Sequence, residues 1–118
     1  MSAPTPIKAP VPIEHWEKLD IRVGTILEVT DVPGSDKLVE LRVDFGDHTR
    51  QILVGMKRER ANPREIEGAQ ALFVINLPPR KMAGRISEGM LLDIGYPDGL
   101  KPVLAMPEKP VPPGTRAG

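Results

Sequence analysis

The residues best suited to chemistry lie in one run, Asn76-Leu77-Pro78-Pro79-Arg80-Lys81-Met82-Ala83-Gly84-Arg85-Ile86-Ser87-Glu88-Gly89-Met90. Arg80, Lys81 and Arg85 supply donors matched to phosphate, the guanidinium as a planar fork and the ammonium as a compact charge. Pro78 and Pro79 stiffen the start of the run, while Gly84 and Gly89 permit a tight backbone or the close approach of a ligand. The chemistry this predicts is the holding of an anion by a cationic loop.

Bond-breaking chemistry finds little support elsewhere. A nucleophilic triad needs a base, and only His15 and His48 are available, one in an N-terminal turn and one at a hairpin tip. There is no Gly-rich phosphate loop followed by Lys-Ser/Thr, and no His pair at metal-binding spacing. Asp36, Asp44 and Asp47 lack the regular ligand spacing of a calcium loop and read as solvated turn acids. With no cysteine, disulfides and thiolate metal sites are excluded. The expectation is a binding protein with no cofactor and no metal.

Charge sharpens that expectation. The formal net charge is zero, but windows 50–64 and 76–90 concentrate Arg50, Lys57, Arg58, Arg60, Arg64, Arg80, Lys81 and Arg85 against only Glu59 and Glu88. They sum to +6 and leave −6 for the remainder. That asymmetry predicts a basic face for a polyanion.

The elements that must position this run belong to one domain, since 118 residues suffice for a modest core. No apolar run is long enough to span a membrane, and the N-terminus lacks the basic-then-apolar order of a signal peptide, so a cytoplasmic location is expected. Pro4, Pro6, Pro10 and Pro12 suit an extended arm over residues 1–13, with the folded domain over 14–118.

Ile13 to Leu19 predicts a helical turn that buries Trp16 and Leu19. Ile21, Val23, Thr25, Leu27 and Val29 alternate on one face of a first strand, with a bulge or bend at Gly24. After a turn at 32–37, Val39, Leu41, Val43 and Phe45 alternate inward on a second strand, and Gly46-Asp47-His48 turns into a third at 49–54. Asn62 as cap, Pro63 at the first helical position and Glu65 at the reciprocal capping position predict a short helix. A fourth strand, about 70–75, enters the cationic run and a fifth leaves it at Met90. Val103-Leu104-Ala105 suits a short edge strand before the Pro-rich tail. Five main strands with a short helix between the third and fourth is the order of an all-β Greek-key OB barrel with added terminal segments. An SH3-like barrel and a small open sheet are the alternatives on pattern alone.

Aromatics set the style of binding. Of Trp16, Phe45, Phe73 and Tyr96, the two Phe sit in core patterns, so stacking of bases on several rings is not the main device. A cationic surface tracking a folded RNA backbone remains.

The residues also resemble a known family. Leu19-Asp20-Ile21-Arg22-Val23-Gly24, Asp36-Lys37-Leu38, Val43-Asp44-Phe45-Gly46 and Arg50-Gln51-Ile52 are similar to the OB-fold tRNA-binding domain. That domain forms the C-terminal part of many methionyl-tRNA synthetases and occurs in free-standing tRNA-binding proteins and in eukaryotic synthetase cofactors. Asn76, Leu77, Pro78, Lys81, Met82, Gly84, Ser87, Gly89 and Met90 fit its Asn-Leu-x-Pro-x-Lys-Met-x-Gly-x-x-Ser-x-Gly-Met signature. The resemblance implies binding to the outer corner of tRNA without reading an anticodon. It assigns tRNA contact to Asn76, Lys81, Ser87 and Met90, and charge alone adds Lys57 and Arg80. An aminoacyl-tRNA synthetase joins the partners it implies.

Trp16-Glu17-Lys18-Leu19-Asp20-Ile21-Arg22, Asn76-Leu77-Pro78-Pro79-Arg80 and Ser87-Glu88 also resemble the CsaA export chaperone, which holds unfolded polypeptides. The stretch Arg50 to Gly55 and Gly89-Met90 favour the tRNA binders; residues 57–62 depart from them, since an aromatic more often precedes the Pro there. Both relatives pair, and Val103-Leu104-Ala105-Met106 offers an apolar edge once the barrel is complete, so a homodimer is expected.

Overall fold

A computed structural model describes residues 5–118; Pro4, the first proline of the expected arm, lies outside the described residues. Residues 5–12 are exposed and carry no helix or strand. Helix α1 (Ile13–Glu17) buries no residue. The expected burial of Trp16 and Leu19 does not occur, since they remain 46% and 42% exposed. Five residues make little more than one turn, and the side chains of this one border an open groove of about 770 Å³ shared with Arg116, Ala117 and Gly118 instead of the barrel core.

The long strand β1 (Ile21–Asp31) organises the rest. Its later part, Thr25 to Asp31, pairs antiparallel with β2 (Val39–Asp44), which pairs in turn with β3 (Thr49–Val54). Its earlier part, Ile21 to Thr25, pairs with β4 (Gln70–Val74). The buried face of β1 is Ile21, Val23, Ile26 and Val29, with Leu27 exposed, so the expected run through Leu27 fails there. A register shift between Ile26 and Glu28 inserts one residue and flips the alternation. Gly24 lies just before the change of partner; a Cβ there would sit 2.9 Å from the Phe45 ring and collide with Val43, so a side chain would force the two strands apart.

A 3-10 turn at Pro63–Ile66 links β3 to β4. Asn62 caps it, accepting from the Arg64 N–H at 3.2 Å, but the Glu65 carboxylate accepts from Arg60 at 2.7 Å instead of completing a capping box. Beyond β4 come the short strands β5 (Arg80–Met82), β6 (Arg85–Ser87), β7 (Met90–Leu91), β8 (Asp93–Ile94), β9 (Val103–Leu104) and β10 (Arg116–Ala117). The main sheet runs β3-β2-β1-β4-β7, with β10 alongside β1 on the side that β2 leaves free. Glu88 N–H donates to Gln51 O at 2.9 Å and joins the two ends of that order, closing an all-β OB-like barrel. Ile26, Leu41, Val43, Phe45, Ile52, Ala71 and Phe73 form its interior, where Phe45 and Phe73 meet edge to face.

The segment at 103–105 is not a free edge. It pairs with β8, and Ala105 O accepts from Leu72 N–H at 2.9 Å.

Candidate nucleic-acid interface

The cationic run is a hairpin. Arg80 stands opposite Ser87, Lys81 opposite Ile86 and Met82 opposite Arg85. Ala83 and Gly84 turn the chain with φ of 49° and 78°, and positive φ at both central residues matches the twist of the flanking strands. Alternation then sorts the side chains by face. Ser87 is only 3% exposed, Met82 and Arg85 are half-buried, and Lys81 and Ile86 project to solvent. Arg80, at the start of β5, is exposed as well.

Both ends of the hairpin are pinned by polar groups. The Asn76 carboxamide accepts from Asp20 N–H and donates to Lys18 O, each at 2.7 Å. Arg50 donates from Nη1 to Ile75 O at 2.7 Å and to Glu88 O at 3.0 Å, bridging the two points where the run leaves and rejoins the barrel. Its Nε donates to His48 Nε2 at 2.9 Å, which leaves His48 Nδ1 to donate to Asp47 at 2.7 Å. That contact holds the Asp47 carboxyl below its usual range. Beside Asn76, the guanidinium of Arg22, 2.9 Å from Asp20, does the same to the Asp20 carboxyl.

Ser87, expected as a contact residue, points inward instead. Its Oγ accepts from Leu53 N–H at 3.0 Å and donates to Gly89 O at 3.1 Å, so both its hydrogen-bonding capacities are engaged in barrel closure. Lys57 is likewise occupied: its Nζ lies 2.6 Å from Asp31 and donates to Val32 O and Ser35 O, fastening the β1–β2 turn. Asn76 is exposed but both ends of its amide are spoken for. Met90 pairs with Val74 yet is 47% exposed.

The same accounting dissolves most of the basic excess. Arg58 pairs with Asp36, Arg60 with Glu65, Arg64 with Glu67 and Arg85 with Glu40, acids that all lie outside the two basic windows. Among the described residues, Arg80 and Lys81 are the cations of those windows with neither an ion pair nor a side-chain hydrogen bond. Sequence reasoning missed the fastening role of Arg50, whose partners stand 25 and 38 residues away, beyond any local pattern.

Residues 21–116 match the family model described as "Putative tRNA binding domain". The chain belongs to the tRNA-binding domain family. It is 44% identical over 110 residues to the Methionine--tRNA ligase of Bacteroides fragilis, a match that covers 93% of this chain and 16% of the ligase. The chain therefore spans only a minor part of such a relative. Among solved structures, the MetRS related protein from Pyrococcus horikoshii superposes with a TM-score of 0.86 at 32% identity, covering 94% of this chain and all of that one. The chaperone CsaA from Bacillus anthracis str. Ames superposes at 0.80, also at 32% identity, over 93% of this chain and 100% of that chain. The family is a binding domain rather than a catalytic one, although ligases carry similar stretches. Among the described residues, no helix is long and apolar enough to cross a membrane.

Proposed function

We propose that this chain binds folded tRNA through the Arg80–Lys81 hairpin, by backbone shape and phosphate position rather than base sequence. The observation that carries the reading is the pair of unpartnered cations on a hairpin pinned at both ends, in a domain of this family. Rigid placement matters because an anion site gains most when its donors lose little freedom on binding. Arg80, Lys81 and Met90 make the contacts in this scheme. Asn76 and Ser87 hold the hairpin, and Lys57 holds the neighbouring turn. An aminoacyl-tRNA synthetase is a further partner in the same reading, residues 14–118 form the binding domain and 1–13 its arm, and the location is cytoplasmic.

Each cation paired with a phosphate contributes about 0.7–0.9 to the slope of log affinity against log salt. The Arg80→Ala/Lys81→Ala double variant should therefore lose about 1.4–1.8 of the slope measured with total tRNA. An unchanged slope overturns the hairpin as the tRNA contact.

A second reading has its own observation. Leu77, Met82 and Met90 line a partly apolar cavity beside the hairpin, which suits the unfolded polypeptide of a CsaA-like chaperone. Tight binding of a reduced, unfolded polypeptide together with weak tRNA binding selects it.

The backbone of 103–105 is engaged in its own barrel, so the proposed homodimer draws on another surface. Ile13, Trp16 and Leu19, exposed over the groove shared with the C-terminal residues, supply one. Light scattering on the wild type and on Trp16→Glu tests it: a dimer that the variant dissociates supports this face.

A further inference from the structure

Arg50 joins the two ends of the hairpin, and what steadies Arg50 is a histidine. A guanidinium has no acceptor and keeps its protons, so the Arg50 Nε–H that faces His48 Nε2 at 2.9 Å requires that ring nitrogen to be bare. The ring proton then sits on Nδ1, which donates to Asp47 at 2.7 Å. Phe45, buried in the core, stacks on the ring with centroids 5.6 Å apart and planes 24° from parallel. Asp47, Phe45 and Arg50 thus orient the imidazole, while 36% of the side chain stays open to solvent and so to its protons.

We infer that His48 is a positioning residue that makes the grip on tRNA sensitive to pH: its neutral ring steadies Arg50 and with it the hairpin, and its protonation releases them. The inference rests on the tRNA-binding reading and adds a regulation to it. Histidine is the side chain that ordinarily changes charge between about pH 5 and 8. A proton on Nε2 turns the acceptor of Arg50 into a donor and sets imidazolium against guanidinium at hydrogen-bond distance. The Asp47 contact survives that change, because Nδ1 donates in either form, and the Asp47 carboxyl, held below its usual range by His48, stays ionised throughout. Asp47 and the Phe45 stack therefore keep the ring in place, and the conflict falls on Arg50, whose Nη1 holds the carbonyls of Ile75 and Glu88. The other charged groups around this turn are engaged elsewhere. Asp44 accepts from Gly46 N–H at 2.8 Å, the Glu88 carboxylate accepts from Gln51 N–H at 3.0 Å, and Arg22, with Arg116 opposite it in β10, pairs with Asp20. Phosphate near a histidine by itself favours the imidazolium and so tighter binding in acid. Release of Arg50 gives the opposite sign, which separates the two effects.

The test measures the affinity of the full chain for total tRNA at constant ionic strength. From about pH 8 to about pH 5.5 the affinity should fall about fivefold, within the limit of about tenfold per pH unit that a single proton sets. His48→Gln keeps an amide oxygen for Arg50 Nε and does not titrate, so its profile should be flat. His15→Gln, on the exposed α1, should keep the wild-type fall. The ring 15N shifts of His48 in the wild type, which need no variant, should place the proton on Nδ1 at about pH 8, and added tRNA should make full protonation require a lower pH. A neutral ring with its proton on Nε2, protonation made easier by tRNA, affinity that rises in acid, or the same fall in His48→Gln overturns the inference. A flat wild-type profile with tight tRNA binding also overturns it and leaves the hairpin reading intact; no binding of tRNA at either pH overturns both.

Discussion

Residues 76–90 divide into an inward set and an outward set that their chemical types do not distinguish. Asn76, Ser87 and the backbone of Glu88 face the barrel and bond to β3 or to the segment before β1, whereas Arg80, Lys81 and Ile86 face water. A hydroxyl and a carboxamide look like ligand-binding groups in a sequence, yet here they serve to close a barrel whose first and last strands lie far apart along the chain. The cations are also of two kinds. Arg50 and Arg85 are consumed by carbonyls and by Glu40, and Lys81 is not. The pleat of a three-residue strand pair sends Lys81 and Ile86 to the face opposite Met82, Arg85 and Ser87, while Arg80, opposite Ser87, is exposed at the start of its strand.

The division is tested most severely at Arg50. Arg50→Met keeps much of the stem but leaves the carbonyls of Ile75 and Glu88 without their donor. Hydrogen bonds from a charged group contribute about 1.5–3 kcal/mol each, so with partial solvation a total loss of about 3 kcal/mol is expected in urea unfolding. If stability holds and tRNA affinity collapses instead, Arg50 belongs to the outward set.

Ser87→Ala comes next. It orphans the buried Leu53 N–H, at a cost of about 1–3 kcal/mol. Well below the melting midpoint, tRNA affinity should stay within about twofold, less than the loss of any direct phosphate contact. A large fall in affinity with an unchanged melting curve would return Ser87 to the ligand.

These two residues also mark the limit of what the sequence made legible. The alternation at 38–45 and the apolar run at 71–75 state the period and the buried face of their strands directly, and the strand count with its intervening turn follows from them. The burial of β1 was harder to read because the strand changes partner midway, and no single period survives a register shift. The site was legible as a motif but not as a division of labour. Charge windows counted Lys57, Arg58 and Arg85 as free because Asp31, Asp36 and Glu40, which neutralise them, lie outside those windows and come close only on folding. Lys81 and Arg80 form no ion pair among the described residues.

A matched pair of cations sharpens the contrast at smaller scale. Lys81→Ala should weaken tRNA binding about fivefold, lower the salt slope by about 1, and leave the melting midpoint within the range of neutral surface changes. Arg85→Ala, directly after the turn and on the other face, should do the reverse: it strands the largely buried Glu40 carboxylate and lowers stability by about 1 kcal/mol, with tRNA affinity little changed. Equal loss of binding in the two variants would mean that the hairpin faces are not distinct for RNA.

The smallest effect is in acid, at the anchor beside the hairpin. The Asp20 backbone N–H is held by Asn76, and its carboxyl is held below the usual range chiefly by the hydrogen bond to Arg22. A carboxyl whose folded pKa is depressed contributes stability that is present above the unfolded value of about 3.9 and disappears as pH falls through the folded value. The wild type should therefore lose thermal stability between about pH 4 and the onset of acid unfolding, and Asp20→Asn, already without that contribution at neutral pH, should lose less over the same interval. Thermal melts of both proteins in steps across that range measure the difference. Parallel curves would mean that the Asp20–Arg22 contact adds nothing to the anchoring of the hairpin, leaving the Asn76 amide and Arg50 to hold it.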